Sequence, residues 1–253
     1  MRFAPMSWLA AILFTTLAAL AEDPQRILFI GNSYTGVNKL PDVFVEVVKS
    51  SGRQAPVVKS STPGGRTLKQ HLAIAGSMKL VDDGGWDVVV LQGQSQEPAI
   101  AETDETVRKE FLESAAELCK RVRAKSPKAK IYFYETWARH ADYWKAAKKG
   151  PDVGADPKEM QARLRKWYGI AAKDNGATFV PCGDAWELNY ASSAPVRLHT
   201  SDHSHPEFVG TYLNALIFFG KIYDVKAPAP NWNGKLGDAQ AKLMRGYAAQ
   251  VLK

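Results

Sequence analysis

Short apolar segments alternate along the chain with longer segments in which apolar residues recur every three or four positions. The short segments occupy residues 26–30, 57–58, 86–91, 131–134 and 178–180, and the run at 86–91 is rich in valine and flanked by glycines. Continuous apolar runs of this length are typical of strands that are buried on both faces of a parallel sheet. The pattern therefore predicts five buried strands.

The longer segments are predicted to be helices. The clearest is 106–125, where Phe111, Ala115, Leu118 and Val122 fall on one stripe. Other helical patterns cover 41–49, 68–80, 157–173, 206–223 and 238–252. Strand and helix alternating five times predict an α/β fold, a three-layer sandwich with helices on both faces of one parallel sheet. We interpret residues 22–253 as one such domain.

The N-terminus has a different character. Arg2 is followed by an apolar stretch, and the small residues Ala19 and Ala21 come before Glu22. A charged start, a short apolar segment and a small-residue cleavage site predict a signal peptide over residues 1–21, and hence a periplasmic or secreted protein. The stretch is short for a membrane span, so we expect none after cleavage, with an uncleaved anchor as the alternative.

The distribution of charge along the chain indicates which class of partner the protein binds. The formal net charge is +7, but the basic residues are scattered along amphipathic segments rather than collected in a stripe with aromatics. This argues against nucleic acid as a partner.

The two cysteines allow two interpretations. Cys119 falls on a predicted helix and Cys182 at the end of a predicted strand, so the sequence is compatible with a disulfide and equally with two buried thiols.

Residues suited to nucleophilic catalysis follow several predicted strands, and in such sheets the reacting groups gather beyond the carboxyl ends of the strands. Ser33 comes after the first strand and a glycine. Asp202 and His205 lie three residues apart, just before a predicted helix. A carboxylate in that position can orient the imidazole, whose other nitrogen then faces the serine. Asp202 as a plain N-terminal helix acid is the alternative.

An acyl-transfer site also needs donors for the oxyanion. Gly65 offers a backbone N–H, Gln94 a side-chain amide after the strongest strand, and Ser33 its own N–H. A simple glycine turn and an ordinary polar loop residue are the alternatives for the first two.

Four blocks now stand in order: Ile-Gly-Asn-Ser-Tyr, Pro-Gly-Gly-Arg-Thr-Leu, Leu-Gln-Gly-Gln-Ser and Ser-Asp-His-Ser-His-Pro. In order and spacing they resemble the blocks of the SGNH hydrolase superfamily of GDSL-like esterases and lipases. The resemblance implies a flavodoxin-like sheet with strand order 2-1-3-4-5, ester hydrolysis through an acyl-enzyme, and no cofactor or metal. It makes Ser33 the nucleophile, His205 the base, Asp202 the orienting acid, and Ser33, Gly65 and Gln94 the oxyanion donors.

The chain departs from the superfamily pattern at two positions. Asn32 stands where the lipase-like branch has Asp, and Gln94 stands where Asn is usual. The amide of Gln94 is kept but displaced by one methylene, which puts the geometry of the oxyanion hole in question more than the reaction.

The resemblance also suggests a substrate, because many exported relatives act on acylated carbohydrate. We therefore expect a small-molecule or glycan ester, with Asn32 and Trp137 as candidate substrate contacts. Two alternatives come from other classes. One is a metal-dependent hydrolase built on His199, Asp202, His203 and His205. The other is a glycan-binding protein without catalysis, with aromatic residues near 138–156 stacking on sugars. The oligomeric state is left open.

Overall fold

One five-stranded parallel sheet organises the chain. The computed structural model describes residues 24, 26–145 and 150–253, so the predicted signal peptide lies outside the described residues. The strands are β1 (Arg26–Ile30), β2 (Val57–Ser61), β3 (Val88–Leu91), β4 (Lys130–Tyr134) and β5 (Thr178–Val180). They pair in parallel in the order β2-β1-β3-β4-β5. The predicted fold class and strand order are confirmed.

Helices cover both faces of this sheet. They are α1 (Ser33–Gly36), α2 (Leu40–Ser50), α3 (Leu68–Ala73), α4 (Ala75–Asp83), α5 (Glu97–Ile100), α6 (Glu105–Lys125), α7 (Asp142–Lys145), α8 (Pro157–Asp174), α9 (Cys182–Tyr190), α10 (Phe208–Tyr223) and α11 (Asp238–Val251), and a 3₁₀ turn covers Val37–Lys39.

The alternation of side chains along each strand divides the core in two. In β1, Ile27 and Phe29 pack with the buried residues of α2, α10 and α11, whereas Leu28 and Ile30 pack with those of α4, α6 and α8. All four side chains are at most 1 % exposed. Burial on both faces explains why this strand reads as a continuous apolar run rather than an alternating one.

The structure corrects three predicted elements. The helix expected over 68–80 is two helices, because Ile74 adopts an extended backbone (φ −88°, ψ 108°) between α3 and α4. The helix expected from Pro206 begins at Phe208, since Pro206 pairs with His199 in an isolated bridge. Cys182, expected at the end of a strand, begins α9, a helix that the sequence did not predict.

The two cysteines are free, buried thiols on opposite sides of the sheet. Cys119 lies in α6 and Cys182 is the first residue of α9. The sheet between them precludes a disulfide. Within the described part of the chain, no helix combines the length and apolar character that a membrane crossing requires.

Strand register brings the chemically interesting loops together. Ile30 pairs with Ser61 on one side and with Leu91 on the other, and Leu91 pairs with Phe133. Because the strands are parallel and end at the same level, the segments that follow them meet along one edge of the sheet.

Candidate active site

The chain turns sharply after β1 and presents Ser33 at the first position of α1. Asn32 is the N-cap, and its side-chain oxygen accepts the N–H of Tyr34 at 3.1 Å. This cap holds Ser33 on a short, fixed turn. The Ser33 hydroxyl oxygen lies 2.8 Å from Nε2 of His205, which is 172 residues further along the chain.

The acid and base of the predicted triad share one tight turn. Oδ2 of Asp202 lies 2.5 Å from Nδ1 of His205, and Oδ1 accepts the hydroxyl of Thr200 and the N–H groups of Ser204 and His205. Burial acts to raise the pKa of Asp202, but the hydrogen bonds from Thr200 and His205 outweigh it and hold the pKa well below its usual range. An ionised Asp202 fixes the proton on Nδ1, which leaves Nε2 to accept the Ser33 proton.

Asn32 ties this turn to the two other blocks. Its side-chain nitrogen donates to the backbone oxygens of Arg66 (3.1 Å) and Gly93 (3.0 Å), and the residue is 1 % exposed. The sequence predicts Asn32 as a substrate contact, but its amide is used inside the protein. An aspartate at this position would place a carboxylate against two carbonyl oxygens and leave them without a donor. This is a physical reason for Asn in place of Asp.

Gln92, which the sequence analysis missed, lies beneath the nucleophile turn and is fully buried. Its Oε1 accepts the N–H of Asn32 (3.0 Å) and the hydroxyl of Thr35 (2.9 Å), while its Nε2 donates to Oδ1 of Asn32 (2.9 Å). A Cβ at Gly31 would lie 2.7 Å from that same Oε1, so glycine is required there. The available signal was a polar amide directly after the most apolar strand.

His71 is a second residue that the sequence did not single out. Its Nε2 lies 2.8 Å from the carbonyl oxygen of Gly31, and its Nδ1 lies 2.7 Å from the hydroxyl of Ser77. Burial lowers the pKa of His71. The neutral ring then donates to Gly31 and accepts from Ser77, which assigns the tautomer from its partners. The break at Ile74 separates His71 in α3 from Ser77 in α4, and the imidazole links Ser77 to the backbone just after β1.

Two of the predicted oxyanion donors adjoin the carbonyls that Asn32 binds. Gly65 has a left-handed backbone (φ 68°) in an open turn, and a Cβ there would meet nothing within 4 Å. Among the described residues its N–H has no acceptor. Oε1 of Gln94 accepts the N–H groups of Gln96 (2.7 Å) and Glu97 (3.1 Å) at the start of α5, so its Nε2 is the end left to donate. The oxygen end of Gln94 is thus held by two backbone N–H groups just before and at the start of α5.

Trp137 does not offer a free face to a sugar. It is fully buried, stacked between Tyr34 and Trp186 with ring centroids 4.4 and 4.0 Å away. Its indole N–H donates to the carbonyl of Ser204 at 3.0 Å. The predicted stacking contact is replaced by a role in supporting the residues that flank Ser33 and His205.

Arg139 lies next to this stack and was also missed. Its guanidinium donates to the hydroxyls of Tyr34 and Ser204 and, at 3.0 Å, to that of Ser95. These residues neighbour Ser33, His205 and Gln94, so one buried side chain links three of the four blocks. A long polar side chain in a loop after β4 carries no sequence signal for such a role.

The histidine-rich segment does not form the metal cluster considered from the sequence. His199 is buried, with Nδ1 2.7 Å from the Tyr190 hydroxyl and Nε2 3.0 Å from the Ala138 carbonyl. Burial lowers the pKa of His199 to about 3, so it is a neutral core residue. Asp202 is paired with His205, and within the described residues these side chains and His203 share no common ligand position.

Comparisons with known proteins support the fold. No family model matches the chain, and no curated protein matches it in sequence. Among solved structures, a DUF4886 family protein from Bacteroides uniformis is 19 % identical, with a TM-score of 0.75 over 90 % of this chain and 94 % of that one. The acetylxylan esterase Axe2 from Geobacillus stearothermophilus is 14 % identical, with a TM-score of 0.60 over 79 % and 94 %.

A lipase/acylhydrolase from Enterococcus faecalis is also similar, at 14 % identity and a TM-score of 0.61 over 79 % of this chain and 96 % of that one. Likeness at these identities concerns the fold. The chain has the SGNH hydrolase fold, as its four sequence blocks predict.

Proposed function

We propose that this protein is an exported serine esterase that hydrolyses carboxylic esters through an acyl-enzyme. One observation carries the proposal: Nε2 of His205 lies 2.8 Å from the Ser33 hydroxyl while Nδ1 of the same ring lies 2.5 Å from Asp202. A hydroxyl needs an adjacent base to become a nucleophile, and the base needs an orienting group. Both conditions are met by residues from opposite ends of the chain.

The geometry supports a two-step reaction. Ser33 attacks the ester carbonyl as its proton passes to Nε2 of His205, and Asp202 stabilises the imidazolium that forms. The N–H groups of Ser33 and Gly65 and the Nε2 group of Gln94 are the proposed donors to the oxyanion. His205 then protonates the departing alcohol, and a water molecule activated by the same ring releases the acid and regenerates Ser33.

Acylated carbohydrate is the substrate class that we favour. A cavity of about 760 Å³ opens between α8, α9 and the loop after β4, and Arg139, His140, Lys158 and Tyr190 contribute to its lining. Arg139, which lines this cavity, also donates to the hydroxyls of Tyr34 and Ser204, so the cavity adjoins the residues that flank Ser33 and His205. An acetylxylan esterase among the proteins of similar fold is consistent with an acetylated glycan.

The proposal is tested with p-nitrophenyl esters of increasing acyl length beside acetylated xylo-oligosaccharides. We expect turnover of acetyl esters, and a loss of at least about 10³-fold in kcat for Ser33→Ala, because the remaining donors and binding groups supply only residual catalysis. Ser193→Ala, which removes an exposed hydroxyl elsewhere, is the matched control and should retain the full rate.

The same assay separates the rival classes. A glycan-binding protein without catalysis would bind the oligosaccharide and release no acetate. A metal-dependent hydrolase would lose its rate in a chelator, whereas the proposed esterase would keep it. Full activity in Ser33→Ala would contradict the proposal outright.

A further inference from the structure

Three potential metal ligands converge outside the triad. His140 follows β4, Asp142 begins α7, and His203 lies in the turn between Asp202 and His205. One ligand atom from each of His140, Asp142 and His203 lies within 4.8 Å of the others. Only His203 belongs to the histidine cluster considered from the sequence, so the fold brings together a set that the linear order did not indicate.

Local contacts already hold these residues close. Nδ1 of His140 lies 3.1 Å from Oδ2 of Asp142, and the N–H of His140 donates to the carbonyl of His203 at 3.0 Å. The rings of His140 and His203 are stacked, with centroids 5.7 Å apart and planes at 22°. His203 has a left-handed backbone (φ 63°), a conformation that is uncommon for a residue other than glycine.

We propose that His140, Asp142 and His203 bind one Zn²⁺ ion. Two imidazoles and one carboxylate are a donor set that zinc accepts, with a water molecule in the fourth position. Harder cations such as Mg²⁺ and Ca²⁺ prefer all-oxygen sites, which this is not. The ion would join the loop after β4 to the turn that carries Asp202 and His205, and it would take no part in the attack by Ser33.

Two cations border the proposed site and provide a test of it. Nζ of Lys145 lies 2.7 Å from Oδ1 of Asp142, which leaves Oδ2 toward His140. Nη2 of Arg197 lies 3.2 Å from Nδ1 of His203. Arg197 also donates to the carbonyls of His199 and Thr200, so it keeps those partners when it releases the imidazole. Because a guanidinium repels the ion and competes for the ring nitrogen, removing it should tighten zinc binding.

The experiment is calorimetric titration of ZnCl₂ into chelator-treated protein without an affinity tag, near pH 7.5. We expect one ion per chain. His203→Ala and His140→Ala should each weaken binding at least about tenfold, since even residues that only support zinc ligands are worth 10–100-fold. Arg197→Met should bind several-fold more tightly. Zinc should raise the Tm of the wild type but not that of His203→Ala.

His205→Ala is the matched control, because it removes a neighbouring histidine that the proposed site does not use. It should bind zinc as the wild type does while losing ester hydrolysis, so the zinc site and the esterase proposal can fail separately. Absence of one-site binding, wild-type affinity in His203→Ala, no gain in Arg197→Met, or loss of zinc binding in His205→Ala would each overturn the assignment.

Discussion

The two halves of the candidate triad are built in opposite ways. The turn that carries Ser33 is buried: Asn32 and Gln92 are at most 1 % exposed, and their bonds reach partners 34 to 61 residues away. The turn that carries the acid and base is open, with side-chain exposures of 48 % for Asp202 and 33 % for His205. The hydrogen bonds of the Asp202 side chain join residues within three positions of one another, whereas Ser204 in the same turn also accepts from Trp137 and Arg139.

This difference predicts that substitutions in the two turns affect the reaction rate and the free energy of unfolding to different extents. The Asp202 side chain is bound within its own turn, so a change at Asp202 should alter the reaction while the fold is retained. The nucleophile turn exists only because other strand ends surround it, so a change there should reduce the free energy of unfolding as well as the rate. The following predictions test that contrast, starting with the largest effect.

Asp202→Asn should lower kcat by about 10²–10⁴-fold with little change in stability. Asparagine keeps an oxygen for Thr200, Ser204 and the His205 N–H, so the turn can persist. Its amide, however, donates toward Nδ1 of His205 and favours the tautomer in which Nε2 already carries a proton. Steady-state kinetics and urea denaturation check the two halves of this prediction, and a loss of several kcal/mol in stability would show that the turn is not self-contained.

Glu97, a buried carboxyl group beside the nucleophile region, tests how far stability on the buried side depends on pH. It is 6 % exposed, its Oε2 accepts the N–H of Gln94 at 3.3 Å, and burial raises its pKa from 4.5 to about 7. The native state therefore holds this proton at pH values where the unfolded chain has lost it. Stability from this group is fully present below pH 4.5 and is lost as pH rises toward 7 and above, to a limit of about 3 kcal/mol.

Glu97→Gln mimics the protonated carboxyl and should abolish that loss. Urea denaturation at pH 5 and pH 8 should show the variant gaining on the wild type by about 2.5 kcal/mol between the two values. Parallel stabilities at both pH values would mean that Glu97 ionises normally in the native state.

Asn32→Asp should lower the free energy of unfolding by about 1–3 kcal/mol, because the carbonyls of Arg66 and Gly93 lose their donor. Asn231→Asp, an exposed position, is the control and should change stability by less than about 0.5 kcal/mol. A wild-type unfolding midpoint for Asn32→Asp would contradict the role of this amide in joining the blocks.

The sequence predicted the features that depend on interactions between residues close together along the chain. The apolar runs placed all five strands, with β1 and β5 correct to the residue, because the central strands β1, β3 and β4 are buried on both faces and need apolar residues. The prediction that all five are buried was wrong for β2, an edge strand whose residues are mostly exposed. The spacing of Asp202 and His205 predicted their pairing, since three residues suffice to close that turn. The order of four blocks predicted the SGNH hydrolase fold and pointed to Ser33.

Periodicity and close spacing do not predict the residues that support the nucleophile. Gln92, His71 and Arg139 each bond to groups far away in sequence, and nothing in the neighbourhood of His71 or Arg139 distinguishes them from ordinary polar residues. Trp137 was taken as a sugar contact because an aromatic residue in a loop has the same signature whether its faces are open or covered.

The amino-acid sequence by itself thus determined the strands of the sheet and the acid–base turn, because periodicity and close spacing are local properties of the chain, while the strand order came from the resemblance of the four blocks. Only the tertiary structure decided that the hydroxyl of Ser33 meets His205, that Asn32 is structural, and that His203 turns to His140. Those contacts join distant segments, and they form only when burial of the apolar strands brings the segments to one edge of the sheet.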